Sequence, residues 1–195
     1  MNERNIKARY LWPMLLTVAA LIVGLGVFSG VNLFVAEALK IAAIKGDVAT
    51  LTRYLDAGVP PDTADPETKY TPLMAAAGAG QLNAVHLLLE RGASVNAVDA
   101  YVGITPLMEA VYGKHTFVVK LLLEKGANPN QKTRRGSIMP LLDAARNGNK
   151  EMVTLLLEAG ANPLAHTEGG STALTNARES GNSEIISLLK QAGAH

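Results

Sequence analysis

Histidine is the residue type in this sequence best suited to bind a metal ion or to transfer a proton near neutral pH. The four histidines are far apart in the chain: His86, His115, His166 and His195. No two histidines lie one helical turn apart, His-Glu-x-x-His is absent, and no cysteine is present to supply thiolates. Because structural zinc sites need four ligands, we predict no metal site. The lack of cysteine also removes disulfides and cysteine nucleophiles.

Motifs that would mark a serine nucleophile or a phosphate-binding loop are also missing. The chain has no Gly-x-Ser-x-Gly, and its Gly-Gly-Ser segment at 169–171 stands where a turn would precede a helix. Gly78, Ala79 and Gly80 form too short a run for a dinucleotide-binding loop, and Gly-x-x-x-x-Gly-Lys-Ser/Thr is absent. We expect no catalytic residue, no cofactor and no enzymatic activity. An enzyme whose site is assembled across distant segments is the alternative.

The composition argues against nucleic acid as a partner and favours helices. Lys and Arg number 18 against 17 Asp and Glu, a net charge of +1, so no basic field exists to attract a polyanion. Apolar residues make up 48% of the chain but aromatic residues only 5%. An alanine- and leucine-rich sequence of this kind is typical of a helical protein.

The apolar residues are concentrated near the N-terminus. From Tyr10 to Ala36 the chain has 27 consecutive residues without a charge. As a helix this run would be about 40 Å long, and the hydrocarbon core of a bilayer is ~30 Å thick. We predict a short basic tail at 1–10 and a transmembrane helix at 11–36, continuous or nearly so with the first helix of a domain at 37–195.

Three properties of this segment stay open at the sequence level. A cleaved signal peptide, cut near residues 27–29, would give a soluble exported protein, but the apolar run continues past that point and favours an uncleaved anchor. The short positive N-terminus favours a cytoplasmic N-terminus and an extracytoplasmic domain. Gly26 and Gly30 have the small-xxx-small spacing that lets two membrane helices associate.

Beyond residue 36 the sequence repeats with a period close to 34 residues. One glycine follows an apolar helix in each unit, with steps of 34, 34, 34 and 33: Gly58, Gly92, Gly126, Gly160 and Gly193. A second series keeps the same phase, with Lys114 in the slot of the third unit: Gly46, Gly80, Gly148 and Gly181. The chain therefore divides into five units at about 37–70, 71–104, 105–138, 139–171 and 172–195.

Each unit has the pattern of two short helices. The first is opened by Thr-Pro-Leu at 71–73 and 105–107, with Met-Pro-Leu or Thr-Ala-Leu in the later units. Threonine caps helix starts, and proline suits the first helical position. The second helix carries a broad apolar face, as in the three leucines at 121–123, and ends at a glycine. Such a face needs burial on more than one side, so neighbouring units must stack.

With the closing pattern Leu-Leu-Glu-x-Gly-Ala, these features resemble ankyrin repeats from Glu37 to His195. The resemblance implies an all-α fold, an ankyrin-repeat solenoid of about five helix pairs, preceded here by one transmembrane helix. It also implies a non-catalytic module that recognises another folded protein through its concave surface. The histidine that the family usually carries after Thr-Pro-Leu is absent from every unit.

On the ankyrin pattern, the variable loops and the exposed side of the first helices form one face. The candidate protein-binding residues there are Glu67, Thr68, Tyr70, Tyr101, Val102, Ile104, Tyr112, Arg134, Arg135, Ile138, Arg146, Glu168 and Glu179. Tyrosine and arginine are enriched at interface hot spots, so we expect a partner with an acidic and apolar patch. The alternative is that the apolar residues near 101–104 pack between adjacent loops and that Arg134 and Arg135 form a solvated turn.

Overall fold

The computed structural model describes residues 29–134, 136 and 139–195. Within these ranges the chain forms ten helices and no strand, apart from an isolated antiparallel bridge between His166 and Thr172. The helices come in five pairs: α1 Ser29–Lys45 and α2 Val48–Asp56; α3 Pro72–Gly78 and α4 Leu82–Glu90; α5 Pro106–Tyr112 and α6 Thr116–Glu124; α7 Pro140–Arg146 and α8 Lys150–Glu158; α9 Ala173–Glu179 and α10 Ser183–Gln191. The all-α repeat fold expected from the sequence is confirmed.

The five pairs stack in register into two rows. The first helices follow one another as α1, α3, α5, α7 and α9, and the second helices as α2, α4, α6, α8 and α10. Each helix contacts the other member of its pair and its neighbours in the row. Each unit therefore buries its apolar surface against adjacent units, as expected of a solenoid.

Capping residues determine where the first helices begin. The hydroxyl oxygens of Thr71 and Thr105 each accept a hydrogen bond at 3.2 Å from the backbone amide three residues later. A proline follows each threonine at the first helical position, where its missing amide leaves no donor unpaired. The helix α7 begins at Pro140 without a side-chain cap, because Met139 precedes it. The helix starts predicted from the Thr-Pro and Met-Pro pairs are confirmed.

The turn between the two helices of a pair requires a residue with positive φ. Gly148 supplies it in the fourth pair with a φ of 67°, whereas Lys114 takes the same place in the third pair with a φ of 61°. Residues other than glycine rarely adopt this conformation, because their Cβ then crowds the backbone. The third pair therefore contains a local strain that the fourth pair lacks.

A continuous apolar core runs between the two rows. Leu88, Leu122 and Leu156 come from the same position of successive second helices, and each is 0% exposed. In the described part of the chain, no buried polar side-chain atom lacks a hydrogen-bond partner. The core of the described stack is therefore apolar and regular, and differences between the units lie on its surface.

Asparagine side chains connect the loops that follow the second helices. Asn96 donates through Nδ2 to the carbonyl oxygen of Gly126 at 3.0 Å and accepts through Oδ1 from the amide of Asn128 at 2.8 Å. Asn130 makes the same two bonds to the following unit, at 2.9 and 2.7 Å. These bonds join the second unit to the third and the third to the fourth, and they help to set the register of the stack.

The helix α1 contains the junction between the predicted anchor and the first repeat. It runs from Ser29 to Lys45 without interruption, so residues 29–36 are continuous with the first repeat helix. Val35 and Ala36 are buried in the repeat core, whereas Leu33 and Phe34 are 48% and 70% exposed. Within the described ranges, no helix has both the length and the apolar character needed to cross a membrane. The predicted tail 1–10 and residues 11–28 of the predicted anchor lie outside the described residues.

Candidate functional site

The hairpin that precedes α5 is organised by one buried aspartate. Asp99 is 7% exposed, and its carboxylate accepts hydrogen bonds from the backbone amides of residues 101–104 at 2.9, 3.1, 2.6 and 2.6 Å. Burial alone would raise the pKa of Asp99, but these donors stabilise the charged form and bring the pKa below its usual value. The course of the hairpin is therefore defined in the unbound protein.

Neighbouring hairpins are joined through their backbones. The amide of Ala100 donates to the carbonyl oxygen of Thr68 at 2.7 Å, and the amide of Arg134 donates to the carbonyl oxygen of Val102 at 2.8 Å. The first of these hairpins is held by Asp65, whose carboxylate accepts two backbone amides at 3.0 and 2.8 Å. Three consecutive hairpins thus form a connected row beside the first helices.

This row presents the apolar side chains that were predicted to bind a partner. Tyr101 is 65% exposed and Val102 is 41% exposed, and Tyr112 at the end of α5 is 84% exposed. The charged members of the predicted set that are exposed are Glu67, Arg134, Arg146, Glu168 and Glu179, and its half-buried members are Thr68, Tyr70 and Ile104. Arg135 and Ile138 lie outside the described residues. The alternative that these side chains pack between adjacent loops therefore fits the half-buried Ile104 but not the exposed Tyr101.

Tyr70 is half-buried because it meets an acidic residue of α5. Its hydroxyl interacts electrostatically with the carboxylate of Glu109. Glu109 reaches over Gly78, where an added Cβ would lie 2.8 Å from Glu109 Oε2. Burial raises the pKa of Glu109, and the charge of Asp99 raises it further, although the interaction with Tyr70 acts in the opposite direction. Burial and the nearby Glu109 also raise the pKa of Tyr70.

The fourth pair has an acidic residue at the equivalent position, 34 residues later. Asp143 on α7 is half-buried, and burial raises its pKa although Arg146 opposes the shift. Arg146 Nη1 lies 3.0 Å from Asp143 Oδ1. Neither Glu109 nor Asp143 was among the predicted site residues. The signal that could have found them is their i, i+3 spacing to Tyr112 and Arg146, which places each pair on one helix face.

His115 and His86 each lie beside a polar group of the repeat domain. His115 Nε2 lies 3.0 Å from the carbonyl oxygen of Gly78, and Gly80 and Gly113 leave room for its ring, because a Cβ at either position would collide with it. His86 Nδ1 lies 3.3 Å from Glu90 on the same helix. In the part of the chain that the structure describes, no group of histidine and acidic side chains is arranged to hold a metal ion.

The row of second helices presents a different aromatic side chain. Phe117 on α6 is 75% exposed and lines a shallow groove with Leu82 and His86 of α4. No residue of the predicted binding set belongs to this groove. Phe117 is therefore a matched control for the exposed tyrosines of the hairpin row.

Two stacked rows of paired helices, with hairpins along one row, define a helix-pair repeat solenoid. The family model described as ankyrin repeats (3 copies) matches residues 39–133 and 135–195. The chain belongs to the ankyrin repeat family, whose members commonly mediate protein–protein interaction. Comparison with the curated proteins finds no match.

Proposed function

We propose that this chain is a non-catalytic scaffold or regulatory partner that binds another protein through its first helices and hairpin tips. The observation that carries the proposal is the exposure of Tyr101 and Val102 on a hydrogen-bonded row of hairpins, together with that of Tyr112 at the end of the adjacent α5. Side chains on an ordered backbone lose less conformational freedom on association. Tyrosine is also among the residues that contribute most to interface hot spots.

Photo-crosslinking tests which row binds the partner. Benzoylphenylalanine is introduced into the full chain at Tyr101 or Tyr112, with Phe117 as the control, and crosslinking is carried out in native membranes. We expect one partner protein to be crosslinked from both tyrosine positions and not from Phe117. For that protein, Tyr101→Ala and Tyr112→Ala should each lower affinity at least about fivefold, the effect of a typical hot-spot residue. Equal crosslinking from Phe117, or unchanged affinity after both truncations, contradicts the proposal.

We also propose that the uncharged segment from residue 11 anchors the repeat domain in a membrane, which would raise its effective concentration near partners in the same bilayer. The anchor ends before Val35 and Ala36, the last two residues of the predicted span 11–36, because both are buried in the repeat core. The support is the uncharged run from Tyr10 to Ala36, together with the exposure of Leu33 and Phe34 near its end. The intact mass of the mature chain tests this proposal. A loss of about 29 residues, the length of a signal peptide, would replace the anchor by a soluble exported protein.

The orientation of the anchor can be tested because the chain contains no cysteine. A single cysteine introduced by Glu168→Cys on an exposed hairpin is then the one thiol in the protein. We propose a cytoplasmic N-terminus and an extracytoplasmic repeat domain, so a membrane-impermeant maleimide should label this cysteine in intact cells. Labelling that requires cell lysis would place the domain on the cytoplasmic side.

Weak self-association through Gly26 and Gly30 is part of the same proposal, since small residues four apart let two membrane helices approach closely. Replacing both glycines by leucine should reduce association in a membrane-helix reporter assay. An unchanged signal would remove this contact from the proposal.

A further inference from the structure

Glu109 and Asp143 occupy the same position in consecutive first helices, but their surroundings differ in one respect. Beside Asp143 stands Arg146, three residues later on α7, with Nη1 at 3.0 Å from the carboxylate. The residue three positions after Glu109 is Tyr112, which is 84% exposed. None of the ion pairs formed among the described residues includes Glu109.

The carboxylate of Glu109 is half-buried, and among the described residues the hydroxyl of Tyr70 is the group identified as favouring its charged form. An ionised carboxylate has about four lone-pair sites for donors, and holding its charge away from water without a counter-charge is unfavourable. The Glu109 side chain lies over Gly78, where an added Cβ would meet Glu109 Oε2, so the glycine allows the carboxylate to occupy this place. The protein thus holds a partly desolvated carboxylate, half-buried on α5.

Two aromatic residues belong to the same place. Tyr70 contacts Glu109 directly, and Tyr112 lies one helical turn beyond it on the same face of α5. Guanidinium groups stack on aromatic rings and pair with carboxylates through two parallel hydrogen bonds. A carboxylate beside tyrosines is a favourable environment for such a group.

We propose that the arginine site, defined as Tyr70, Gly78, Glu109 and Tyr112, binds an arginine side chain of the partner protein. The inference deepens the proposed function and rests on it. Its support is charge complementarity, together with the internal precedent of the fourth pair, where Arg146 makes this contact with Asp143 within the chain. Because Arg146 is already paired with Asp143, we expect the acidic patch of the partner to face Arg134, which is exposed.

The test uses the full chain in mild detergent and a random library of twelve-residue peptides displayed on phage, with counter-selection on the Glu109→Gln variant. In the tightest enriched peptide, arginine is replaced by citrulline, which has a similar shape and no charge. We expect this replacement to lower affinity for the wild type by about tenfold or more, the effect of losing a charged hydrogen bond. The effect should vanish for Glu109→Gln and persist for the control Asp143→Asn.

Two exchanges between the third and fourth pairs make the test sharper. Tyr112→Arg supplies the third pair with the internal cation of the fourth and should abolish peptide binding, while the unfolding curve remains that of the wild type. Arg146→Tyr removes the cation of the fourth pair and should create a second citrulline-sensitive site that depends on Asp143. Unfolding curves of all variants exclude loss of fold as the cause.

Enriched peptides without arginine, or a citrulline effect of equal size in wild type and Glu109→Gln, would overturn the arginine site. The arginine site would also be overturned if no peptide bound the wild type better than it bound the Glu109→Gln variant. A partner protein that depends on Tyr101 and Tyr112 but not on Glu109 would refute the arginine site and leave the proposed function in place. Independence from all three residues would refute both.

Discussion

The third and fourth helix pairs have the same architecture and the same core but different surfaces. Leu122 and Leu156 are both completely buried. On the surface of the fourth pair, Arg146 supplies the counter-charge of Asp143. The turn between the two helices of this pair contains a glycine, Gly148. The third pair has Tyr112 instead of the arginine, and Lys114 in the left-handed turn. Departures from local rules in otherwise regular proteins concentrate at functional sites, so the comparison supports centring the proposed binding surface on the third pair.

The largest expected effect tests whether the two cores are equivalent. Leu122→Ala and Leu156→Ala each empty the same buried position, and each should lower the free energy of unfolding by roughly 2–5 kcal/mol, the cost of a leucine-sized cavity. Urea unfolding followed by circular dichroism measures both. An unchanged midpoint for Leu122→Ala would contradict stacking of the units. A large difference between the two variants would show that the pairs differ in their cores as well as on their surfaces.

The next effect concerns the hairpin of the third pair. Asp99→Ala removes the acceptor for four backbone amides, and we expect a loss of roughly 1.5–3 kcal/mol, the range for a hydrogen-bonded charge. Asp99→Asn keeps the shape of the side chain and should lose less. Because the folded pKa of Asp99 is lowered, its contribution is present above the unfolded pKa of about 3.9 and is lost as pH falls through the folded value. A wild-type advantage over Asp99→Asn that does not shrink below about pH 4 would contradict this account.

A smaller effect tests the strained turn. Lys114→Gly relieves a positive φ that lysine adopts unfavourably, and Gly148→Lys introduces the same strain into the fourth pair. Space is not the constraint at Gly148, since an added Cβ would meet only Asn182 Nδ2, at 3.8 Å. After allowance for the greater unfolded-state entropy of glycine, we expect changes of about 0.5–1 kcal/mol with opposite signs. Thermal unfolding of both variants measures them, and changes of the same sign would exclude backbone strain as the cause.

The fold was predictable because its determinants are local and recur. The spacing of the glycines predicts the boundaries of the units. The Thr-Pro pairs predict where the first helices begin, because a capping hydroxyl and a proline ring act within one turn of the residue that carries them. Lys114 is the exception in the glycine series, and it adopts the positive φ that glycine has at the equivalent positions. Stacking followed because neither helix of a pair can bury a broad apolar face alone.

The site was predictable only in part, because its contacts join different units. Tyr101, Val102 and Tyr112 were predicted to be exposed from their place in the repeat, and they are. The interaction of Tyr70 with Glu109 joins the end of the first unit to the third, and the position of Glu109 depends on the absence of a side chain at Gly78. No pattern along the chain shows that a tyrosine in one unit will partly cover a carboxylate in another. Depth of burial, which separates Glu109 from an ordinary surface acid, is a property of the stack.

The smallest expected effect tests whether the partly buried carboxylate of Glu109, in the third pair, lowers the free energy of unfolding. Burial raises the pKa of Glu109, so the fold favours its protonated form, and stability falls as pH rises from the unfolded pKa of about 4.3 through the folded value. Glu109→Gln removes this penalty and leaves an amide oxygen for the Tyr70 hydroxyl. At pH 7 it should increase the free energy of unfolding by a few tenths of a kcal/mol, the scale of a surface substitution, and the gain should disappear below about pH 4.

Asp143→Asn is the control for this measurement. Burial also raises the pKa of Asp143, but the substitution leaves Arg146 without its counter-charge, so we expect a smaller gain at pH 7 than for Glu109→Gln. Urea unfolding of both variants at several pH values between 4 and 7 separates the two cases. A larger gain for Glu109→Gln than for Asp143→Asn would mean that the protein maintains the Glu109 carboxylate at the expense of its own stability, as expected of a group kept for binding. Equal changes in the two variants would mean that Arg146 does not distinguish the fourth pair from the third, and the comparison would then lose its electrostatic basis.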